Sequence, residues 1–268
     1  MNIMLLAGGA SARMGREKAL ITRPDGTRQI DHLVSLAKLF SGSVFLSAND
    51  GDDRGTGLPV LADPVPGGGP LSALDAARET GLAGPWLMLG CDLFLLDEIT
   101  IRYLIDHHDP ARGATAYRNR IDDRAEPLCA IYETSALSSL PIENRCARSF
   151  LESLDPVLLD LPSPAAIDNA NAPAELDEAF EKLQQGVTRK TIRITYFAVL
   201  RDARGLATET VETLACTAAG LYEEIRFRHR FKLPIGNLRV AKNDEFAPWN
   251  CPVAEGDEFV FIPPVAGG

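Results

Sequence analysis

Leu6-Ala7-Gly8-Gly9-Ala10-Ser11-Ala12-Arg13-Met14-Gly15-Arg16-Glu17-Lys18 follows directly on the apolar run Ile3 to Leu6. A short apolar run that ends in two glycines and gives way to small residues and cations reads as a buried parallel strand feeding a tight loop. Glycine lets the backbone turn with φ > 0 and lets amide N–H groups converge on an anion without a Cβ in the way. Arg13, Arg16 and Lys18 then bring three cations within six residues, the charge needed to hold a triphosphate. Spacing excludes two better-known phosphate loops. The P-loop needs Gly-Lys followed by Ser or Thr, whereas Lys18 stands between Glu17 and Ala19, and no Gly-x-Gly-x-x-Gly is present.

Outward from this stretch, 268 residues with 46% apolar content and a mean hydropathy near zero describe a globular chain with room for two domains. No apolar run reaches membrane-spanning length, and the run before Gly8 is too short and lacks the basic lead-in for an export signal. Cys91, Cys129, Cys146, Cys216 and Cys251 are odd in number and never in Cys-x-x-Cys spacing, so reduced thiols and a cytoplasmic location are expected. The net charge is −10, yet eleven Lys/Arg meet ten Asp/Glu from Arg189 onward, leaving −11 on the part before it. Such a body is an improbable partner for nucleic acid. It needs a local basic pocket and a metal ion to bind a polyanion.

Beyond Lys18 the pattern alternates strand and helix. Helices are expected at Gln29 to Phe40, Leu71 to Thr80, Asp97 to His108 and Pro173 to Gln185, and strands at Val44 to Ser47, Pro59 to Ala62, Trp86 to Leu89, Ala114 to Tyr117 and Leu128 to Tyr132. This order calls for a doubly wound, mostly parallel α/β sheet with helices on both faces. Asn49, Asp63 and Asp92 each fall just after a strand, at the edge where open α/β sheets bind ligands. Each also has a plainer reading: an Asx turn for Asn49, a residue before Pro64 for Asp63, and a turn cap for Asp92. Asp97 reads as a helix N-cap, Cys91 as a packed thiol, and the four histidines carry no ligand spacing.

Leu6 to Lys18 resembles, at all thirteen positions, the Leu-Ala-Gly-Gly-x-Ser-x-Arg-Met-Gly-x-x-Lys signature of the molybdenum cofactor guanylyltransferases (MobA type). Gly69-Pro70-Leu71, Cys91-Asp92 and Asp168 to Leu176 are similar to further motifs of that family, so the resemblance covers about residues 1 to 186. Phe94, Ala73 and Ala172 depart from it, standing where the family usually has proline, glycine and threonine. The resemblance implies a nucleotidyltransferase with a Rossmann-like fold, using GTP, Mg²⁺ and molybdopterin as acceptor. On it, Asp92 holds the metal, and Lys18 and Arg13 stabilise charge on the leaving pyrophosphate. The backbone through Leu6, Ala7, Gly8 and Gly9 holds the phosphates or the nucleotide edge, while Asn49 and Asp63 contact the nucleotide. Cytidylyl transfer, and a non-catalytic first domain, stay open as alternatives.

After a brief polar stretch the pattern changes to the alternation Ile192, Ile194, Tyr196, which marks a second domain; the expected division is 1–187 and 188–268. Strands fit Thr208 to Thr213, Leu238 to Ala241 and Glu258 to Ile262, with a helix from Thr217 to about Arg228, a small mixed sheet on one helix. Arg226, Arg228, Arg230 and Lys232 read as a solvated helix end. The chain stops at Pro263-Pro264-Val265-Ala266-Gly267-Gly268, a thin end able to enter a narrow channel. With Tyr196 to Arg201 and Glu255-Gly256-Asp257, this part is similar to the sulfur-carrier subunit of molybdopterin synthase (MoaD type), a ubiquitin-like β-grasp protein. That resemblance implies a thiocarboxylate on Gly268. It also implies two partners, the large subunit of molybdopterin synthase (MoaE type) and an E1-like adenylating enzyme (MoeB type).

Overall fold

The computed structural model describes residues 1–8, 15, 17–64, 68–119, 122–141, 146–162, 165–185, 190–213 and 215–264. The chain divides into two compact units, one of Met1–Leu161 with Ala165–Lys182 and one of Pro162–Pro164 with Leu183–Gly268. Among the described residues no helix is long and apolar enough to cross a membrane.

In the first unit the strands are β1 (Asn2–Leu6), β2 (Val44–Ala48), β3 (Val60–Ala62), β4 (Trp86–Gly90), β5 (Ala114–Arg118), β6 (Ala125–Tyr132) and β7 (Val157–Leu159). They form one seven-stranded sheet in the order β3-β2-β1-β4-β6-β5-β7. β1, β2, β3 and β4 are mutually parallel, and β5 is parallel to β7, whereas β6 runs against both β4 and β5. The expected mostly parallel sheet is therefore present, with one reversed strand.

The helices are α1 (Gln29–Lys38), α2 (Pro70–Glu79), α3 (Glu98–Asp106), α4 (Ala147–Ser153) and α5 (Pro173–Gln185). Alternation along β1 explains why both faces are covered. Ile3 and Leu5 enter a core with Leu33 of α1 and Ile101 and Leu104 of α3, and Met4 enters the opposite core with Leu71 and Leu74 of α2 and Phe150 of α4. α2 starts where a sharp turn is built from Gly69 at φ +65 and Pro70 in the first helical turn.

The second unit holds β8 (Lys190–Tyr196), α6 (Ala198–Arg204), β9 (Thr208–Thr213), α7 (Ala218–His229), β10 (Arg239–Lys242), β11 (Glu245–Ala247) and β12 (Glu258–Ile262). Its sheet order is β11-β10-β12-β8-β9, with β12 and β8 parallel at the centre and antiparallel pairs outside. That is the expected β-grasp arrangement. It carries the short α6 and the edge strand β11 in addition, reached through a tight turn in which Asn243 and Asp244 both have positive φ. Leu221, Tyr222 and Ile225 of α7 are buried, as are Ile192, Ile194 and Tyr196 of β8. Arg228, Arg230 and Lys232 at the helix end are exposed, as expected, while Arg226 is half-buried and its Nε donates at 2.8 Å to the buried Glu223.

Candidate active site

Because β3, β2, β1 and β4 are parallel, their carboxyl ends share one edge, and the chain switches direction across the sheet between β1 and β4. Ala7 and Gly8 follow β1, Asn49 follows β2, Asp63 follows β3 and Asp92 lies two residues past β4. The predicted residues thus gather on a single edge as a consequence of topology.

Asp92 and Lys18 face each other there. Lys18 Nζ lies 3.5 Å from Asp92 Oδ2, and each side chain is 15% exposed. The second carboxylate oxygen, Oδ1, is buried and has no hydrogen-bond partner among the described residues. It packs against Gly90, where a Cβ would lie 2.5 Å from it. Burial pushes the Asp92 carboxyl above the usual carboxylate range, and the Lys18 charge pulls it partly back.

Lys18 opens a single 3₁₀ turn, Lys18–Leu20, and also donates at 2.6 Å to Asn171 Oδ1. Local spacing does not mark Asn171, whose segment stands out in the sequence only through its family resemblance. That segment is tied to the site by Ala170 N–H, which donates to the Asp92 carbonyl at 3.0 Å. Its far side is fixed by Glu175, whose Oε2 accepts from the N–H groups of Asn171 and Ala172 at 2.6 and 3.1 Å, capping the start of α5.

The loop carrying Asp92 is gripped from below by Arg23, a buried arginine. Its Nη1 donates to Gln29 Oε1 at 2.6 Å and to the Phe94 carbonyl at 2.8 Å, while Gln29 Nε2 donates to the Leu93 carbonyl at 3.2 Å. Phe94 sits edge-on to Phe180 in a small core with Ile21, Ala170 and Leu176. The departure from proline at Phe94 therefore packs α5 against the loop that bears Asp92.

On the other wing, Ser47 Oγ donates to Asp63 Oδ1 at 3.0 Å, and burial raises the Asp63 pKa against that bond. A Cβ at Gly8 would lie 3.4 Å from Asp63 Oδ2, so the small residue permits this approach. The N–H groups of Ala7 and Gly8 both donate to the Ser47 carbonyl, at 3.0 and 3.1 Å. Those two amides thus tie the start of the loop to the end of β2. Arg54 adds a cation that spacing did not single out. Its guanidinium pairs with Glu17 and Asp52 and donates at 3.4 Å to the Ala7 carbonyl, from inside an acidic, glycine-rich loop.

Asn49 is exposed at the end of β2. Gly9, Arg13, Arg16 and Gly268 lie outside the described residues. Asp97 caps α3, accepting from Thr100 N–H at 2.7 Å, and Cys91 is a packed thiol whose pKa is raised by burial and by the Asp92 charge. His107 Nδ1 donates to the Tyr103 carbonyl at 2.8 Å, a bond within its own helix end.

The donor set can be tested against a metal. Among the described residues no group of three or more His, Cys, Asp or Glu converges, so no protein cage for a transition metal is present. A single carboxylate with one buried, unpartnered oxygen suits a hard cation that keeps waters and takes its other ligands from phosphate, as Mg²⁺ does. Asp92 fits that ion.

Residues 3–157 match the MobA-like NTP transferase domain. The chain belongs to that family. In this MobA-like chain residues 194–268 also match the ThiS family. It is 35% identical over 137 residues to a probable molybdenum cofactor guanylyltransferase of Carboxydothermus hydrogenoformans, covering 50% of this chain and 66% of the relative. It is 30% identical over 179 residues to a molybdenum cofactor biosynthesis bifunctional protein of Synechocystis, covering 64% of this chain and 51% of the relative. The chain thus spans about two thirds and about half of the lengths of these relatives. The fold of its first part is shared with the crystal structure of molybdopterin-guanine dinucleotide biosynthesis protein A from Archaeoglobus fulgidus. That likeness has a TM-score of 0.57 at 20% identity over 69% of this chain and 100% of the other.

Proposed function

We propose that residues 1–187 transfer GMP from GTP to the terminal phosphate of molybdopterin, and that residues 188–268 carry sulfur for making molybdopterin, so that two steps of molybdenum cofactor biosynthesis share one chain. The observation that carries the first half is the Lys18–Asp92 pair at the carboxyl edge of the sheet, with one Asp92 oxygen left unpartnered. The name of the Carboxydothermus relative, a probable molybdenum cofactor guanylyltransferase, favours guanine, and that of the Synechocystis relative favours two roles in molybdenum cofactor biosynthesis.

In the transfer an acceptor phosphate oxygen attacks the α-phosphorus of GTP. The bond from that phosphorus to the bridging oxygen breaks, and its electron pair leaves on pyrophosphate. Lys18, with Arg13, neutralises charge as it gathers on that leaving group. Asp92 supplies the protein's anionic ligand to Mg²⁺, which when bound lends Lewis-acid stabilisation to the phosphates. Asp63, Asn49 and the backbone at Leu6 to Gly9 orient the nucleotide, and Asn171 orients Lys18.

For the second half, an E1-like enzyme adenylates the Gly268 carboxylate with ATP, releasing pyrophosphate, and a sulfide-level sulfur donor then displaces AMP to leave a thiocarboxylate, which serves the large subunit of molybdopterin synthase. The match of residues 194–268 to the ThiS family supports this reading.

Pyrophosphate release with molybdopterin and either GTP or CTP tests the transferase. GTP should be preferred, and Asp92→Asn should lower the rate at least about 100-fold. Undiminished transfer by Asp92→Asn overturns the site, and preference for CTP overturns the base. Intact mass after incubation with an activating enzyme, ATP and a sulfur source tests the carrier; it should show one oxygen replaced by one sulfur, and a chain extended beyond Gly268 should not.

A further inference from the structure

We infer that Lys18, seated on Asp92 Oδ2 in the nucleotide-free protein, keeps a free divalent cation off the Asp92 carboxylate, so that the site accepts metal as a metal–nucleotide complex and not as the free ion. This rests on the reading of Asp92 as the metal ligand and goes beyond it to the form in which substrate must arrive.

Three observations lead there. Lys18 Nζ is shared between Asp92 Oδ2 at 3.5 Å and Asn171 Oδ1 at 2.6 Å, in a pocket where both charged side chains are largely covered. A Mg²⁺ ion bound to Asp92 at about 2.1 Å would crowd a second positive charge against the ammonium. The perch on the other side is also firm, since Asn171 is fixed through its N–H to Glu175 and its neighbour Ala170 is bonded to the Asp92 carbonyl. Finally, among the described residues no group of three or more His, Cys, Asp or Glu converges to hold a free ion in compensation. A covered carboxylate already paired with an ammonium is a poor site for an aqueous divalent cation.

Nucleotide changes the balance through Lys18 itself. The lysine stem is long and flexible, and its ammonium is a point charge that pairs more strongly with phosphate oxygens than with an amide carbonyl. Phosphates arriving at the edge draw Lys18 from Asn171 and Asp92, and the freed carboxylate takes the cation they bring. The lysine thereby acts twice, guarding Asp92 before binding and stabilising the leaving group afterwards.

Free Mn²⁺, counted by electron paramagnetic resonance against the full-length chain, tests this without turnover. Wild type should bind Mn²⁺ alone weakly, and Lys18→Met should bind it about tenfold more tightly, with Asp92→Asn removing the gain in the Lys18→Met background. Asn171→Leu, which takes away the perch and leaves both charges in place, should shift Mn²⁺ affinity in the same direction by a smaller factor. If Lys18→Met binds Mn²⁺ no more tightly than wild type while wild type with GTP binds Mn²⁺ through Asp92, the guarding role is wrong and the metal site stands. If GTP-dependent Mn²⁺ binding is equal in Asp92→Asn and wild type, the metal assignment itself falls and takes the inference with it.

Discussion

Gly90 and Asp92, two residues apart at the end of β4, share one volume: a Cβ on Gly90 would stand 2.5 Å from Asp92 Oδ1 and 3.1 Å from Leu128 Cβ. The backbone at Gly90 needs no positive φ, so glycine is required here by space alone. Gly90→Ala is expected to swing the Asp92 carboxylate off its seat, because the side chain yields more readily than Leu128 on the neighbouring β6. Transfer should fall about 100-fold or more, while overpacking costs about 1–3 kcal/mol in urea unfolding. Full activity in a folded Gly90→Ala protein would show that Asp92 need not sit where it does.

Asp63 and Asp92 occupy the ends of different strands and should fail in different ways. Asp63 is bonded to Ser47 and approaches Gly8, away from the Lys18 pair, and its assigned contact is with the nucleotide. Such a contact is made equally before and during the reaction. Asp63→Asn is therefore expected to raise the KM for GTP about tenfold with kcat nearly unchanged, whereas Asp92→Asn lowers kcat. Steady-state kinetics with saturating acceptor separate the two, and a kcat loss in Asp63→Asn would move that residue to the reacting phosphates.

Arg23 and Gln29 form a buried unit that holds the Leu93 and Phe94 carbonyls beneath the Asp92 loop. Removing one member leaves buried polar atoms of the other without partners. Arg23→Met and Gln29→Leu should each destabilise the protein by about 2–4 kcal/mol, and the double variant by clearly less than their sum. Urea unfolding of the three variants measures the coupling. Strict additivity would show that the two side chains act independently.

The strand ends were legible because β1, β2 and β4 are mostly apolar runs whose termination is marked by Gly8, Asn49 and Gly90. Asp63 and Asp92 could be placed on one edge from order alone, since parallel strands bring their carboxyl ends together. The reversal of β6 was not readable, because an apolar run carries no sign of its direction within a sheet. β7 and α4 are three and seven residues long, too short for periodicity to separate them from loop. Within the site, Asn171 reaches Lys18 across 153 positions, a contact made by tertiary packing and invisible to local spacing. Arg23 follows Thr22 and precedes a Pro-Asp-Gly turn, so its sequence reads as surface; its burial is matched by its bonds to Gln29 and the Phe94 carbonyl.

In the second unit Glu209 gathers three partners. Tyr196 Oη donates to Oε1 at 2.5 Å, His229 Nε2 lies 2.8 Å from the same oxygen, and Arg204 Nη2 donates to Oε2 at 2.7 Å. Burial alone would raise the Glu209 pKa, but the bonds from Arg204 and Tyr196 and the neighbouring His229 outweigh it and bring it down to about 2. A carboxylate with a depressed folded pKa contributes stability that is complete above its unfolded value near 4.5 and is lost as pH falls toward 2. The contribution, allowing for solvent screening, is about 2 kcal/mol. Thermal unfolding followed from pH 6 down toward pH 2 by a probe in the second unit should therefore show a steep acid loss in wild type. Glu209→Gln should be less stable at pH 6 and show a flatter acid limb, the two curves drawing together only as pH approaches 2. Parallel curves over that range would mean that Glu209 is ionised with equal ease in the folded and unfolded chain, and that the cluster fixes β9 to α7 without drawing on its charge.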